Sequence, residues 1–185
     1  GEEVARATSI VRYAPNSSFS SHEHGGGEEF FVLAGVFADE HGDYPAGTYV
    51  RNPVGTAHTP KIGEVGATIL VKLHQFEPED QEQKAVDTRS AVWAHGEAEG
   101  EQILPLHEYG DERVCLKKYA PEAETPVRAV EGGEEIFVLE GVLHDEQGAY
   151  PAGTWLRNPP GHERRLFAKV EGALIYRKQG HLSGG

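Results

Sequence analysis

The chain has 185 residues, enough for one ordinary domain or two small ones. Thirty acidic residues against seventeen basic ones give a net charge of −13, which would repel a phosphate backbone. This charge argues against nucleic acid as a direct partner. No apolar run is long enough to cross a bilayer, and the N-terminal GEEVARATS is not a signal peptide. We therefore expect a cytoplasmic protein without membrane contact.

The cysteine and methionine contents are both informative. The single cysteine, Cys115, excludes an internal disulfide framework and the usual cysteine-rich zinc modules. It lies in the strand-like run VCLKKY, which predicts a buried apolar thiol. The chain has no methionine and begins close to its first predicted strand, which indicates that an N-terminal portion is missing from this sequence.

A long segment of the chain occurs twice. Residues 13–60 align without a gap on residues 119–166 at a constant offset of 106, with 24 identities in 48 positions. The repeat predicts two small domains, at residues 1–76 and 101–185. The polar, acidic segment 77–100 between them is predicted to be a linker, with Trp93 anchored against a domain.

The predicted elements are all strands. Short runs rich in Val, Ile, Phe, Tyr and Thr alternate with Gly, Pro and Asp turns, and helical periodicity is nearly absent. In chain order the predicted strands are SIVRY, EFFVLAGVF, GTYVRN, AHTPKI and ATILVKLHQF, then VCLKKYA, EIFVLEGVL, GTWLRN and ALIYRKQ. This pattern predicts an all-β protein of two tandem sandwich or barrel domains, and a jelly roll is one way in which such a domain closes its edges.

A set of potential metal ligands lies in the first copy only. His22 and His24 are two residues apart, so on a strand both imidazoles point to the same face. Glu28 has the same parity, although the intervening GGG could bend the chain and leaves Glu29 as a second choice. His58 follows a turn on a separate strand, and an antiparallel pairing would bring it opposite the other three.

The chemistry of this set favours a transition metal. Three neutral imidazoles and a carboxylate suit zinc, iron(II), manganese or nickel, and they do not suit calcium. An isolated HxH pair would more simply be two surface histidines in a polar loop. The full set HxHxxxE with a later PxGxxH predicts one divalent metal ion per chain, with zinc preferred and iron, manganese or nickel as alternatives.

The spacing of these residues is similar to the two cupin motifs. In HEHGGGEEFFVLAG the first motif ends correctly at Gly35, although Asn16 stands where that motif usually begins with glycine. The second motif is matched by Gly47, Pro53, Gly55 and His58. Ile62 replaces its usual terminal asparagine, which puts one outer contact in doubt but none of the ligands.

More specifically, the amino-acid sequence of the repeat resembles the cupin domain of ChrR-type anti-sigma factors. The resemblance rests on GGEEFFVLAGVFADEHGDYPAGTYVRNPVGTAH and covers both copies. It implies a double-stranded β-helix (jelly-roll) fold and a zinc site at His22, His24, Glu28 and His58. The sigma-binding zinc domain of that family has no match here, so this chain alone does not support a sigma factor as partner.

The second copy has lost the ligand set. Arg128, Val130 and Arg164 replace the three histidines, while Glu134 remains in the place of Glu28. Arginine cannot serve as a ligand while it is protonated. We predict that one or both arginines form an ion pair with Glu134 in the space of the lost metal.

Other polar residues receive structural interpretations. Arg51 and Arg157 occur in identical RNP contexts and are predicted to pair with a repeated acidic group such as Asp39 and Asp145. The remaining histidines outside the motif are predicted to be solvated: His41, His74, His95, His107, His144 and His181.

Coordination number separates two functional hypotheses. Four protein ligands complete the tetrahedron of zinc, and such a closed site is structural or sensory. The same ligands would leave two positions open on six-coordinate iron or manganese, which suits a dioxygenase acting on a small dicarbonyl or aromatic compound. The first hypothesis is a sensory or regulatory metal-binding module and the second is the enzyme. Either would allow a small-molecule ligand and a homodimer.

Overall fold

A computed structural model describes residues 6–182, which form strands and connecting turns without a helix. No helix in that range could therefore cross a membrane. The chain divides into two compact units, Gly1–Ala91 and Val92–Gly185. The all-β prediction is confirmed, and each unit is described by itself below.

The first unit is built on a six-stranded sheet. Its strands are β1 (Ala7–Tyr13), β2 (His22–Glu23), β3 (Glu28–Asp39), β4 (Gly42–Pro45), β5 (Thr48–Asn52), β6 (Ala57–His58), β7 (Ala67–Leu73) and β8 (Lys84–Asp87). The sheet has the order β1-β7-β3-β5-β8, with β4 also paired to β3. The short strands β2 and β6 pair separately with each other.

The second unit repeats this arrangement with seven strands in its main sheet. Its strands are β9 (Ala94–His95), β10 (Glu101–Tyr109), β11 (Glu112–Tyr119), β12 (Arg128–Val130), β13 (Glu134–His144), β14 (Ala149–Pro151), β15 (Trp155–Asn158), β16 (His162–Arg164) and β17 (Phe167–Gln179). The main sheet has the order β14-β13-β17-β11-β10-β9, with β15 also paired to β13, and β12 pairs with β16.

The strand register keeps the offset of the repeat beyond the aligned segment. Glu28 on β3 faces Leu73 on β7, and Glu134 on β13 faces Gln179 on β17. Each residue of the second pair lies 106 positions after its counterpart in the first pair. Positions related by this offset are therefore structurally equivalent along these strands as well.

Each unit encloses an apolar core between its strands. In the first unit Phe30, Val32 and Phe37 of β3 belong to the core, and in the second Ile136 and Val138 of β13 do so. The inward positions alternate along each strand, as a pleated strand requires.

The same irregularity occurs in both long strands. The register of β3 against β7 shifts between Val32 and Ala34, and that of β13 against β17 shifts between Val138 and Glu140. Such a β-bulge adds one residue and exchanges the faces of all residues that follow. Phe30 and Phe37, which have opposite parity, therefore both lie in the core.

The segment predicted as a linker contributes strands to both units. Within residues 77–100, β8 pairs with β5 and β9 pairs with β10, and the division between the units falls after Ala91. These strands are short and polar, so they lack the apolar alternation by which strands are recognised in a sequence. In the predicted strand AHTPKI only Ala57 and His58 are extended.

The cysteine prediction agrees with the structure. Cys115 on β11 is buried and free. Burial raises the pKa of its thiol above the ordinary value, so the group is not a reactive thiolate.

Candidate metal centre

The structure brings the four predicted ligands together in the first unit. The pairing of β2 with β6 places His22 directly opposite His58, while Glu28 lies at the start of β3. One ligand atom from each of His22, His24, Glu28 and His58 lies within 4.8 Å of all the others. The cluster could therefore hold a metal ion.

The inward atoms of the cluster are the three Nε2 nitrogens and the Glu28 carboxylate. The His58 and His22 Nε2 atoms are 3.2 Å apart. Glu28 Oε2 is 3.4 Å from His24 Nε2 and 3.7 Å from His58 Nε2. His24, Glu28 and His58 are buried, whereas His22 is exposed, so one side of the cluster faces solvent.

The outward nitrogens of all three imidazoles are engaged by fixed oxygens. His22 Nδ1 is 3.2 Å from the Ser20 carbonyl oxygen and His58 Nδ1 is 3.1 Å from the Asp39 carboxylate. These oxygens only accept, so both Nδ1 atoms carry the proton and both Nε2 atoms present a lone pair.

The His24 imidazole also carries its proton on Nδ1, but the oxygen that accepts it belongs to a hydroxyl group. His24 Nδ1 is 3.0 Å from Thr56 Oγ1, and that hydroxyl donates its hydrogen to the Pro53 carbonyl at 2.7 Å. It must therefore accept from His24, whose Nε2 is buried and has no hydrogen-bond partner among residues 6–182. Three lone pairs thus converge, each imidazole oriented by a second group as in metal sites.

The electrostatics of the metal-free cluster shift the pKa values of its three buried groups in different directions. Burial, with the neighbouring imidazoles His58 and His22, lowers the pKa of His24 to about 4. Burial would also lower the pKa of His58, but its hydrogen bond to Asp39 and the charge of Glu28 raise it overall. Burial raises the pKa of Glu28. A cation at the centre would satisfy these groups together.

The two adjacent glutamates occupy different environments. Glu28 accepts a hydrogen bond from Asn52 Nδ2 at 3.3 Å and lies in the cluster. Glu29 lies on the opposite face, where it accepts from the Tyr49 hydroxyl at 2.6 Å and is 3.6 Å from Arg51 Nη1. Glu29, the second choice as a ligand, is therefore outside the cluster.

Arg51 pairs with a repeated acidic group, as predicted, but that group is Glu29, 3.6 Å from its Nη1, and not Asp39. Arg51 is fully buried, forms an ion pair with Asp80 and stacks over the Phe76 ring at 3.8 Å. Asp39 bonds His58 instead, because the bulge in β3 turns its side chain to the same face as Glu28.

In the second unit the partner of the equivalent arginine is likewise the repeated glutamate and not Asp145. Arg157 is largely exposed and lies 3.9 Å from Glu135, while Asp145 accepts the Tyr150 hydroxyl at 2.8 Å and closes its own turn. The retained RNP context thus correctly indicated a repeated acidic partner, which is Glu29 in the first unit and Glu135 in the second.

Aromatic side chains pack beside the histidine cluster. The Phe37 ring lies 5.7 Å from the His58 ring and 5.4 Å from the Tyr13 ring. The Phe19 ring, which is partly exposed, lies 5.2 Å from Tyr13. Burial and the nearby Glu28 raise the pKa of Tyr13 to about 12, so its hydroxyl stays protonated.

An ion-pair network replaces the ligand set in the second unit, as predicted. Both oxygens of Glu134 pair with Arg164, and the same carboxylate accepts from Arg177 Nε at 2.6 Å and Asn158 Nδ2 at 2.8 Å. Burial would raise the pKa of Glu134, but the charge of Arg177 and the hydrogen bonds of Arg164 lower it to about 2. The carboxylate therefore stays ionised.

The other predicted arginine takes no part in this network. Arg128 lies opposite Arg164 on β12, but its exposed side chain pairs with the equally exposed Glu97 at 3.2 Å. Arg177 is instead the second arginine that pairs with Glu134. The sequence did not predict it, because it lies outside the 48 aligned residues and Val71 occupies the equivalent position of the first copy.

The prediction that the remaining histidines are solvated is wrong for three of them. His107, His144 and His181 are buried. His144 stacks on Phe167 at 5.3 Å, and His181 is 3.5 Å from Glu135. His41 and His95 are exposed, as predicted.

The residues that hydrogen-bond the cluster from outside were not predicted, for different reasons. Asn52 could have been found, because Asn158 repeats it and bonds the equivalent glutamate. Thr56 and Ser20 are replaced in the second copy, so the repeat gives no signal for them.

The jelly-roll units and the histidine cluster define a cupin with one candidate metal site. The sequence matches the family described as ChrR Cupin-like domain over residues 1–77 and 81–183, so the chain belongs to that family. Both halves are matched, in agreement with two tandem cupin domains. No curated protein matches the sequence.

Solved structures share this fold at low sequence identity. A candidate dioxygenase from Nostoc punctiforme PCC 73102 superposes with a TM-score of 0.81 at 16% identity, covering 97% of this chain and 71% of that one. A variant of salicylate 1,2-dioxygenase from Pseudoaminobacter salicylatoxidans gives 0.75 at 12%, covering 95% and 71%. A variant of oxalate decarboxylase from Bacillus subtilis gives 0.70 at 13%, covering 95% and 68%.

Proposed function

We propose that the first unit binds one divalent transition metal ion per chain, zinc in preference, through His22, His24, Glu28 and His58. The convergence of three oriented Nε2 lone pairs on one carboxylate carries this proposal. Without a cation, the Nε2 atoms of His22 and His58, 3.2 Å apart, need a proton between them to form a hydrogen bond. A bound metal ion would take the place of that proton and use both lone pairs for coordination.

We further propose that the site is sensory or regulatory. Four protein ligands fill the coordination shell of zinc, so the bound ion would keep no open position for a substrate. His22 is the one exposed ligand, so displacement there by an external molecule is the simplest route to a signal. The three buried ligands, held from behind by Asp39, Thr56 and Asn52, would keep the ion in place meanwhile.

A second candidate function is a metal-dependent dioxygenase acting on a small dicarbonyl or aromatic compound. Two of the structural neighbours carry dioxygenase names, and Tyr13, Phe19 and Phe37 form an aromatic wall beside His58. Iron or manganese held by the same four residues would have two positions left for external ligands and would supply redox chemistry. The protonated Tyr13 hydroxyl would be a hydrogen-bond donor to a substrate oxygen.

Metal analysis of the purified protein, followed by oxygen uptake after reconstitution, separates these functions. Zinc at one ion per chain, with no oxygen uptake in the iron- or manganese-loaded protein, supports the sensory site. Oxygen uptake that depends on iron or manganese and on an added dicarbonyl or aromatic compound supports the enzyme. Failure to bind any first-row metal after reconstitution would eliminate both, and two ions per chain would contradict a single site.

A further inference from the structure

The second unit contains a polar cavity in the place of the lost metal site. Its volume is about 310 Å³, within the range of small-molecule sites. Arg164 and Arg177, both bonded to Glu134, line its inner wall. The exposed pair of Arg128 and Glu97 lies at its rim.

The charges around this cavity do not balance. Four basic side chains, those of Lys117, Arg128, Arg164 and Arg177, line it. Lys117 pairs with Glu101, Arg128 with Glu97, and two guanidinium groups share the single carboxylate of Glu134. One positive charge remains uncompensated in a chain whose net charge is −13.

The surplus charge lies at Arg177. Its guanidinium donates to Glu134 through Nε, and among residues 6–182 its two Nη groups have no acceptor. The side chain is partly exposed and lines the cavity. Those groups are therefore available to a ligand with the planar geometry that guanidinium prefers.

The first unit shows that this charge is not needed to build the fold. The positions equivalent to Lys117, Arg177 and Gln179 are Val11, Val71 and Leu73, which pack in or against the apolar core. Filling a lost metal site with aliphatic side chains would be neutral or stabilising relative to buried ion pairs. The second unit carries polar groups at all three positions instead.

Further polar groups are present for the rest of a ligand. The buried Tyr119 hydroxyl lines the cavity beside Glu101, and Thr125 and Gln179 also line it. Burial and the nearby Glu101 raise the pKa of Tyr119, so its hydroxyl remains a donor. Leu166 adds an apolar surface.

We propose that the cavity of the second unit binds a small organic monocarboxylate, whose carboxylate pairs with Arg177 and whose hydroxyl or carbonyl group bonds Tyr119. One surplus positive charge matches a monoanion. A phosphate or sulfate dianion would be repelled by Glu97, Glu101 and Glu134 around the same space. The proposal is independent of the metal site in the first unit.

The test is calorimetric titration of the full chain, made metal-free, with pyruvate, lactate, benzoate, phosphate and sulfate. At least one of the three carboxylates is expected to bind at one per chain, and more tightly than phosphate or sulfate. The Arg177→Val variant is expected to weaken this binding at least about tenfold, because a charged hydrogen bond is lost. Arg165→Gln removes an equal charge outside the cavity and is expected to bind as the parent does.

One further variant and the use of metal-free protein keep the result decisive. Arg128→Gln changes an exposed rim residue, so it is expected to fold and to weaken binding by a smaller factor. The removal of metal before the titration excludes capture of the carboxylate by an ion in the first unit. No carboxylate binding, equal or tighter binding of phosphate or sulfate, or undiminished binding in Arg177→Val would overturn the proposal.

Discussion

Glu28 and Glu134 occupy the same register position of the same strand in the two units, yet their carboxylates are in opposite situations. Glu28 faces three neutral imidazoles, and burial raises its pKa. Glu134 faces two guanidinium groups that hold its pKa at about 2. A buried carboxylate in this fold therefore needs a cation, and the units differ in whether the chain supplies it.

The largest expected difference between the units concerns metal binding. His58→Ala removes one of the inward nitrogens and is expected to lower zinc affinity by more than about 100-fold, since even outer-contact changes cost 10–100-fold. Competition with a chromophoric chelator measures this. His162→Ala alters a half-buried histidine of the second unit outside the cluster and should leave affinity unchanged. Equal losses in both variants would contradict the assignment.

The same substitution at the two glutamates should have unequal effects on the metal-free protein. Glu134→Gln leaves Arg164 and Arg177 without their counter-charge and is expected to destabilise the second unit by about 3–5 kcal/mol. Glu28→Gln removes a carboxylate whose ionised form is already disfavoured, so a change below about 1 kcal/mol is expected in the first unit.

Hydrogen exchange in β3 and β13 reports both units in one experiment. Both tryptophans, Trp93 and Trp155, belong to the second unit, so their fluorescence during urea unfolding provides an independent measure for it. Equal destabilisation by the two substitutions would show that Glu28 has an internal counter-charge after all.

The contribution of Glu134 to stability should disappear in acid. Its folded pKa of about 2 lies below the ordinary 4.5, so the stabilisation is complete above pH 4.5 and is lost as the pH falls towards 2. The full effect is on the order of 3 kcal/mol. Urea unfolding followed by tryptophan fluorescence should show the parent and Glu134→Gln converging over this interval. A difference that stays constant with pH would refute the depressed pKa.

The smallest expected effect concerns the residue behind His58. Asp39→Asn keeps the size of the side chain but removes the charge that orients the imidazole, and a 10–100-fold loss of zinc affinity is expected. Asp145→Asn is the matched control, because Asp145 only closes its own turn. Chelator competition again gives the measurement, and unchanged affinity in Asp39→Asn would remove this aspartate from the site.

The sequence was sufficient to predict the all-β fold and the clustering of His22, His24, Glu28 and His58, because spacing and parity are short-range properties. The replacement of the three histidines in the second copy also indicated that they are not needed for the fold. Arg177 could not be found this way, since it reaches Glu134 from a strand 43 residues away and replaces a valine. Strands β8 and β9 were not predicted because they are short and polar, and only tertiary pairing makes them extended.

The bulge in β3 also makes the site sensitive to chain length. Asp39 lies eleven positions after Glu28, and because this number is odd a regular strand would place the two side chains on opposite faces. Deleting one residue at Leu33 would restore a regular strand with every ligand still present, but Asp39 would then point away from His58. Relatives that retain the site should therefore conserve this spacing as strictly as the ligands themselves.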